Sequence, residues 1–463
     1  MNTRTKEVDM LHGPLLAKIL LFALPLALSS LMQQLFNSID VAVVGHFASK
    51  EAMAAVGSNS PVINLLINLF MGISMGATVI ISNHIGQHDS SSIKNAINTA
   101  FFVAITSGIF LMLLGSFVAK PILELIDTPE NVIGLATEYL RIYFLGMPFL
   151  MVFNFAAAIL RSIGDTRRPL YILVAAGTVN AILNLIFVIV FNMSVKGVAI
   201  ATCVSNMISA FLIVRILMKE EGPYRLCVKE IGVKWIELKR MLQIGVPAGI
   251  QGMIFSFSNV LMQSAINGYG SAAIAGSAAA LNYESYCYFI VAAFNGAAIS
   301  FVGQNYGAGN FKRVKKVIKT CMLASFIFCF LMNIMITWMH TPCISVFSTD
   351  EAVIFYGSER MFVVLATQWI ACSYEISGAA LRGMGKSVLP AVITIFGTCL
   401  LRVFWIFGVA GHYRNFQVLM ASYPVSWTIT GCMMCIALLT TLNKLGITSF
   451  SLISRLSLHR KDL

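Results

Sequence analysis

Asp40 stands in the run Gln33-Gln34-Leu35-Phe36-Asn37-Ser38-Ile39-Asp40-Val41, a polar patch inside an otherwise apolar stretch. Gln33, Asn37 and Asp40 are spaced by four and three residues, so a helix places them on one face. If that helix crosses lipid, a carboxylate there costs about 2.5–3.5 kcal/mol on insertion, and such residues mark ion and proton sites. Asp40 is therefore the first candidate to take a proton or to ligate Na+. Asn180 and Asn184 share a second helix face, and Thr202, Ser205 and Asn206 follow in the next apolar run. Amide and hydroxyl oxygens suit a hard cation, although the same side chains also hold helices together.

A second group of polar residues lies further along. Glu284 is surrounded by Tyr283, Tyr286 and Tyr288; Glu375 follows Trp369 and Tyr374; Arg402 lies alone in a later apolar run. Aromatics beside a buried acid suit a flat organic cation, which makes Tyr283, Glu284, Glu375 and Arg402, with Gln34 and Asn37, candidate cavity residues. The competing reading is a structural ion pair of Glu284 or Glu375 with Arg402. His84 and His88 flank Gly86-Gln87 without a Cys or carboxylate cluster, so no metal is expected beyond Na+ at Asp40. Cys432-x-x-Cys435 sits among Met and Ile residues and is expected to pack as small apolar side chains. The chain contains no G-x-x-x-x-G-K-[ST] motif and no H-E-x-x-H. No enzyme chemistry and no cofactor are expected, and uphill transport would need an ion gradient.

The elements that hold these residues follow from composition. Of the 463 residues 58% are hydrophobic and 11% charged, with a mean hydropathy of +0.81. Soluble domains carry roughly 25% charged residues, so lipid is the expected solvent. The apolar residues come in runs long enough at about 1.5 Å per residue to cross a hydrocarbon layer of about 30 Å. Inside lipid each backbone donor must be satisfied within its own segment, which makes the runs helices. The predicted spans are 16–44, 57–83, 94–117, 132–160, 168–191, 196–218, 241–268, 274–302, 316–340, 355–381, 387–411 and 418–442. The fold class is an all-α polytopic membrane protein of twelve transmembrane helices.

Net charge is +12, but its distribution speaks of topology and not of nucleic acid. Basic residues gather in the even-numbered connections and the termini: Lys219, Arg225, Lys229, Lys234, Lys239 and Arg240 in one loop, and Arg313, Lys315, Lys316 and Lys319 after the eighth span. The opposite loops hold Lys50, Lys120, Lys196 and Arg414. That asymmetry predicts both termini in the cytoplasm. The first apolar stretch is too long for a cleavable signal peptide.

The chain also repeats itself. Pro25 and Asn37 align with Pro247 and Asn259, and Ile85-Gly86-Gln87 with Val302-Gly303-Gln304. Leu160-Arg161-x-x-Gly164-x-x-x-x-Pro169 matches Leu381-Arg382-x-x-Gly385-x-x-x-x-Pro390. Six spans between copies give both halves one orientation, related by a pseudo-two-fold axis along the membrane normal. The expected organisation is a six-helix bundle over 1–218, a cytoplasmic linker over 219–240, a second bundle over 241–442 and a cytoplasmic tail over 443–463. Pro25 and Pro247 each remove a helix hydrogen bond and are candidate hinges; Gly72-x-x-x-Gly76 predicts close helix packing.

These pieces, with Asn37-Ser-Ile-Asp40-Val-Ala-Val-Val-Gly45, Asn180-Ala-Ile-Leu-Asn184, Gly197-Val-Ala-Ile-Ala-Thr202 and Phe301-Val-Gly-Gln-Asn-Tyr-Gly-Ala-Gly309, resemble the multidrug and toxic compound extrusion (MATE) family. The resemblance is to its bacterial DinF-like and staphylococcal-type branch. It implies two six-helix bundles in a V, and secondary-active export of amphipathic, often cationic, compounds against inward H+ or Na+. It implies a cation-coupling site at Asp40, Asn180, Asn184 and Thr202. Many relatives have aspartate where this chain has Asn184, which favours protons over sodium. The implied partners are small-molecule substrates and membrane lipid, with no nucleic acid and a monomeric state. The implied location is a bacterial cytoplasmic membrane. A flippase for a lipid-linked sugar is the alternative within the same superfamily.

Overall fold

The computed structural model describes residues 7–125, 128–413 and 415–446. Arg414 and the tail beyond residue 446 lie outside the described residues. Regular structure among these residues is entirely helical: α1 (Leu15–Phe47), α2 (Lys50–Gln87), α3 (Ser90–Leu125), α4 (Glu130–Leu145), α5 (Met147–Ile163), α6 (Arg167–Leu185), α7 (Ser194–Met218), α8 (Trp235–Asn267), α9 (Ser271–Gly307) and α10 (Phe311–Trp338). The remainder are α11 (His340–Ser345), α12 (Glu351–Val363), α13 (Ala371–Gly383), α14 (Val388–Thr394), α15 (Leu401–Phe404), α16 (Gly411–Tyr413), α17 (Phe416–Met420) and α18 (Ser422–Lys444).

Ten helical stretches are long and apolar enough to cross a membrane, and α4 with α5, bent by 50°, make an eleventh. The twelfth is α12 and α13, joined by a 3-10 stretch over Leu365–Ile370. Its two α-helices are 13 residues each, so neither alone is long enough to cross a membrane. All twelve spans read from hydropathy have a helical counterpart, and several helices run past the predicted limits by a turn or more. Large apolar side chains such as Phe117 (79% exposed) and Phe404 (75%) face outward. In water such a surface would aggregate, whereas lipid is its natural solvent.

By its contacts the chain forms two units. The first comprises Met1–Asp9 and Leu24–Met253, the second Met10–Ala23 and Ile254–Leu463. Two of the helices with an internal proline, α1 with Pro25 and α8 with Pro247, contribute residues to both units, whereas α3 with Pro121 lies within the first. Pro25 interrupts the hydrogen-bond ladder of α1, and its own carbonyl takes an extra donor, Ser29 Oγ at 2.8 Å.

Within the first unit, α2 and the start of α8 meet through glycines. A Cβ on Gly72 would stand 2.3 Å from the Gly249 nitrogen, and one on Gly76 would stand 2.3 Å from the Met241 carbonyl oxygen. The contact is reciprocal, since a Cβ on Gly245 would lie 2.4 Å from Ile73 Cα and one on Gly249 2.5 Å from the Leu69 carbonyl. Two small-x-x-x-small ridges thus pack backbone to backbone, as lipid-embedded helices do in the absence of a hydrophobic drive between them. The connector after α7 is pinned to this unit: Leu226 is buried, Lys94 pairs with Glu230 at 2.6 Å, and the Lys234 amide donates to Thr99 Oγ1 at 3.2 Å.

In the second unit the segment 10–13 is clasped by Arg313, which donates to the carbonyls of Met10 (3.2 Å), His12 (2.8 Å) and Gly13 (3.1 Å). The repeated L-R-x-x-G motif has one cause in both units. Gly164 (φ 108°) and Gly385 (φ 79°) take the left-handed conformation that ends a helix, where only glycine avoids a Cβ penalty. The next amide then bonds back to the motif leucine, Asp165 to Leu160 and Lys386 to Leu381, each at 2.9 Å.

Candidate functional site

In the first unit α1 supplies Asp40, α6 supplies Asn180 and Asn184, and α7 supplies Thr202. The four join in one hydrogen-bonded chain. Asn184 Nδ2 donates to Asp40 Oδ1 at 2.5 Å and to Asn180 Oδ1 at 3.2 Å. Asn180 Nδ2 donates to Thr202 Oγ1 at 3.4 Å, and that hydroxyl donates to the Val198 carbonyl at 2.9 Å. Asn184 is fully buried and Asp40 is 8% exposed. The ion pairs of this unit, such as His84 with Glu237 and Lys196 with Glu138, lie elsewhere; none involves Asp40 among the described residues. Asn184 Oδ1 has no hydrogen-bond partner. A buried carboxylate without a cation is costly, and a buried acceptor without a donor adds to that cost.

The local sequence explains the placement. The i, i+4 spacing stacks Asn180 over Asn184 on α6, and Asn184 lies two residues before a π-helical turn over Ile186–Val190. Such turns widen a helix and concentrate at functional sites. Around the polar chain lies an apolar cluster that includes Val43, Val44, Val188, Val195 and Val198. Tyr139 and Tyr143 of α4, stacked at 5.9 Å, lie within electrostatic reach of Asp40. Sequence spacing did not single them out. Gln34 is half-buried and Asn37 exposed, and neither joins the hydrogen-bonded chain.

The second unit contains a cavity of about 330 Å³. Glu284 and Arg402 line it, with Arg360, Asn259, Tyr423 and Trp427. The sequence offered Arg402 as an ion partner for Glu284 or Glu375, but the structure pairs Glu284 with Arg360, through Nε–Oε1 at 2.6 Å and Nη2–Oε2 at 2.9 Å. Glu375 stands apart from the lining and accepts from Asn295 Nδ2 at 2.6 Å and Tyr288 Oη at 3.1 Å. Tyr283 turns its hydroxyl to the Cys343 carbonyl at 3.0 Å and lies outside the cavity. Arg360 has no partner visible in the sequence, because Glu284 is on another helix, 76 residues away. Its position in the apolar run Ile354-Phe-Tyr-Gly-Ser-Glu-Arg360-Met-Phe-Val-Val was the available signal, since a charge there demands a partner.

The described residues contain no cluster of three or more His, Cys, Asp or Glu side chains able to hold a metal. The ten cysteines are all free.

Three comparisons bear on what this arrangement belongs to. The chain is 27% identical over 421 residues to the probable multidrug resistance protein YoeA of Bacillus subtilis, covering 89% of this chain and 90% of that one. It is 22% identical over 405 residues to the multidrug export protein MepA of Staphylococcus aureus, covering 86% and 89%. Its fold matches a crystal structure of a MATE protein in the bent conformation with a TM-score of 0.89 at 19% identity, over 96% of this chain and 98% of that one. The MatE family model matches twice, at residues 25–186 and 247–407, once in each repeat. With both halves accounted for in this way, the chain belongs to the MatE family, as a multi-pass membrane protein built on a duplicated set of six spans.

Proposed function

We propose that this protein is a secondary-active exporter that exchanges amphipathic organic compounds for inward H+ by alternating access, with both termini in the cytoplasm of a bacterial cell. The observation that carries the reading is Asp40: a lone buried carboxylate, hydrogen-bonded to Asn184 and free of any basic partner among the described residues. Its charge is balanced only when a cation arrives, so occupancy by a cation changes the energy of the surrounding helices. The candidate ligands beyond the carboxylate are neutral oxygens of Asn180, Asn184 and Thr202. A single acid among neutral groups favours a proton over tight Na+ binding. A proton on Asp40 finds an acceptor in the partnerless Asn184 Oδ1 when the amide turns over, at the expense of the Asn184 Nδ2 bond to Asn180 Oδ1. One charge moving through 100 mV supplies about 2.3 kcal/mol, which is roughly a fifty-fold accumulation ratio. A single proton per cycle therefore suffices for useful extrusion.

Relatives whose names record multidrug resistance or export, YoeA and MepA, support the substrate side of the reading. The test is dye accumulation in cells. Cells expressing the wild type should retain less of an amphipathic fluorescent dye than empty cells, tested with one cationic and one anionic dye, and Asp40→Asn should abolish the difference at equal membrane abundance. An Asp40→Asn protein that still lowers accumulation would remove Asp40 from the coupling role.

A further inference from the structure

Each unit holds buried charge without an ion pair. In the first it is Asp40. In the second, Glu375 is held by the neutral groups of Asn295 and Tyr288 away from the cavity, while Arg402 lines the cavity, lies within the second family match and donates to Asn259, the repeat counterpart of Asn37.

Arg402 is 1% exposed and is among the largest fully buried side chains of the protein. Its Nε donates to Ser426 Oγ at 3.2 Å and its Nη1 to Asn259 Oδ1 at 3.4 Å. Its Nη2 has no hydrogen-bond partner. No carboxylate pairs with it among the described residues, because the one acid lining the cavity, Glu284, is held bidentately by Arg360. Glu284, Arg360 and Arg402 are the charged lining residues, so the cavity carries one net positive charge. Around the guanidinium stand three aromatic rings: Tyr423 at 4.2 Å from Cζ, Phe255 at 5.6 Å and Trp427 at 5.9 Å. The rings offset part of the desolvation of the cation, but a buried charge with an idle donor remains costly unless an anion completes it.

From this geometry we infer that the cavity of the second unit binds an amphipathic organic anion, with a carboxylate or sulfonate on Arg402 and an aromatic body between Phe255, Tyr423 and Trp427. The inference deepens the export reading by naming a substrate class, and it reverses the polarity that aromatics beside Glu284 first suggested. Volume agrees: about 330 Å³ lies at the small end of ligand pockets and admits a two-ring molecule. Anion recognition by an arginine in a dry, aromatic-walled site draws on charge-assisted hydrogen bonding that bulk water would weaken.

The experiment measures binding to the full-length protein in detergent, without any ion gradient, so that failure of ion coupling has no bearing on it. Three probes of one shape are compared: 1-naphthoate, 1-naphthalenemethanol and 1-naphthylmethylammonium. Wild type should bind naphthoate at least about tenfold more tightly than either other probe, the equivalent of about 1.4 kcal/mol. Arg402→Gln, which retains hydrogen-bonding capacity toward Asn259 and Ser426, should erase that preference while the melting temperature is maintained. Should Arg402→Gln fail to fold, competition of naphthoate with the other two probes on wild type still decides the matter. Equal affinities, or a preference for the ammonium probe, would overturn the proposal. An anionic lipid headgroup is the other source of such a charge. If dihexanoylphosphatidylglycerol binds in an Arg402-dependent way and naphthoate shows no preference, the site belongs to lipid and the proposal falls.

Discussion

Replacing Gly76 with alanine adds one methyl group at a backbone-to-backbone helix contact of the first unit. Its Cβ would stand 2.3 Å from the Met241 carbonyl oxygen, 3.0 Å from the Gly245 nitrogen and 3.2 Å from the Gly245 Cα. All three neighbours are backbone, so no side chain can swing aside. To reach an ordinary separation of about 3.4 Å, α2 and α8 must part locally by about 1 Å. A gap of that size forfeits a quarter to a half of each contact's well, about 0.1–0.2 kcal/mol per atom pair. A seam with as many atom pairs as one buried leucine, about 50, then gives up about 1–5 kcal/mol, or about 3 kcal/mol at mid-range. Alanine returns up to about 1 kcal/mol in helix propensity, leaving a net loss of about 2 kcal/mol. That agrees with the general cost of overpacking. At about 2–4 °C per kcal/mol for a unit of this size, the apparent melting temperature should drop by roughly 4–8 °C. The assay is thermal unfolding of detergent-solubilised protein followed by size-exclusion fluorescence. Gly134→Ala is the control, because that helical glycine has open space where its Cβ would go; it should match or slightly exceed wild type. A Gly76→Ala protein that melts with wild type would refute the backbone-to-backbone seam.

Three further outcomes are expected. Glu284→Gln breaks the buried pair with Arg360 and should destabilise the second unit by about 3–5 kcal/mol, whereas Glu284→Met combined with Arg360→Met should recover most of the loss; a double variant as unstable as the single one would show that the pair is not what matters. Thr202→Val strips Asn180 of its acceptor, and the transport rate should fall about tenfold, the equivalent of about 1.4 kcal/mol in barrier, with membrane abundance unchanged; an unaltered rate would detach Thr202 from the site. Arg313→Ala frees the carbonyls of Met10, His12 and Gly13, and hydrogen exchange over residues 10–18 should accelerate about tenfold, given about 1.5 kcal/mol or more for bonds to a charged group.

The architecture was legible in the sequence because lipid enforces a simple code. Any run long and apolar enough must be a helix there, and each of the twelve did prove helical. The L-R-x-x-G repeats were legible for a related reason, since a left-handed helix end leaves glycine as the residue without penalty. Gly72 and Gly76 announced a close contact, although their partners Gly245 and Gly249 were identified only in three dimensions. The network of Asp40, Asn180, Asn184 and Thr202 was nominated by charge cost, helix spacing and family resemblance, and the structure brings those side chains together. Pairing across helices was harder to read. The link from Glu284 to Arg360 spans 76 residues, and nothing periodic connects them. Sequence alone therefore left Arg402 as the default partner of the glutamates, while packing gave Glu284 to Arg360 and left Arg402 facing the cavity. The 3-10 stretch at Leu365–Ile370 was equally hidden. It contains neither proline nor glycine, and while Thr367 Oγ1 bonds locally to the Val363 carbonyl at 2.6 Å, the bond of Gln368 Nε2 to the Glu284 carbonyl at 2.9 Å is a tertiary fact.

The most direct test of the central claim is gradient-driven export in proteoliposomes, with wild type and Asp40→Asn side by side. Purified protein is reconstituted and loaded with an amphipathic dye, and either a pH gradient or a sodium gradient is imposed. Dye movement should follow the pH gradient in wild type, with none driven by sodium alone and none in Asp40→Asn under either condition. Dye movement that persists in Asp40→Asn, or no movement in wild type under either gradient from correctly folded protein, would contradict that claim. The second of those results would bring a lipid-linked flippase activity to the front.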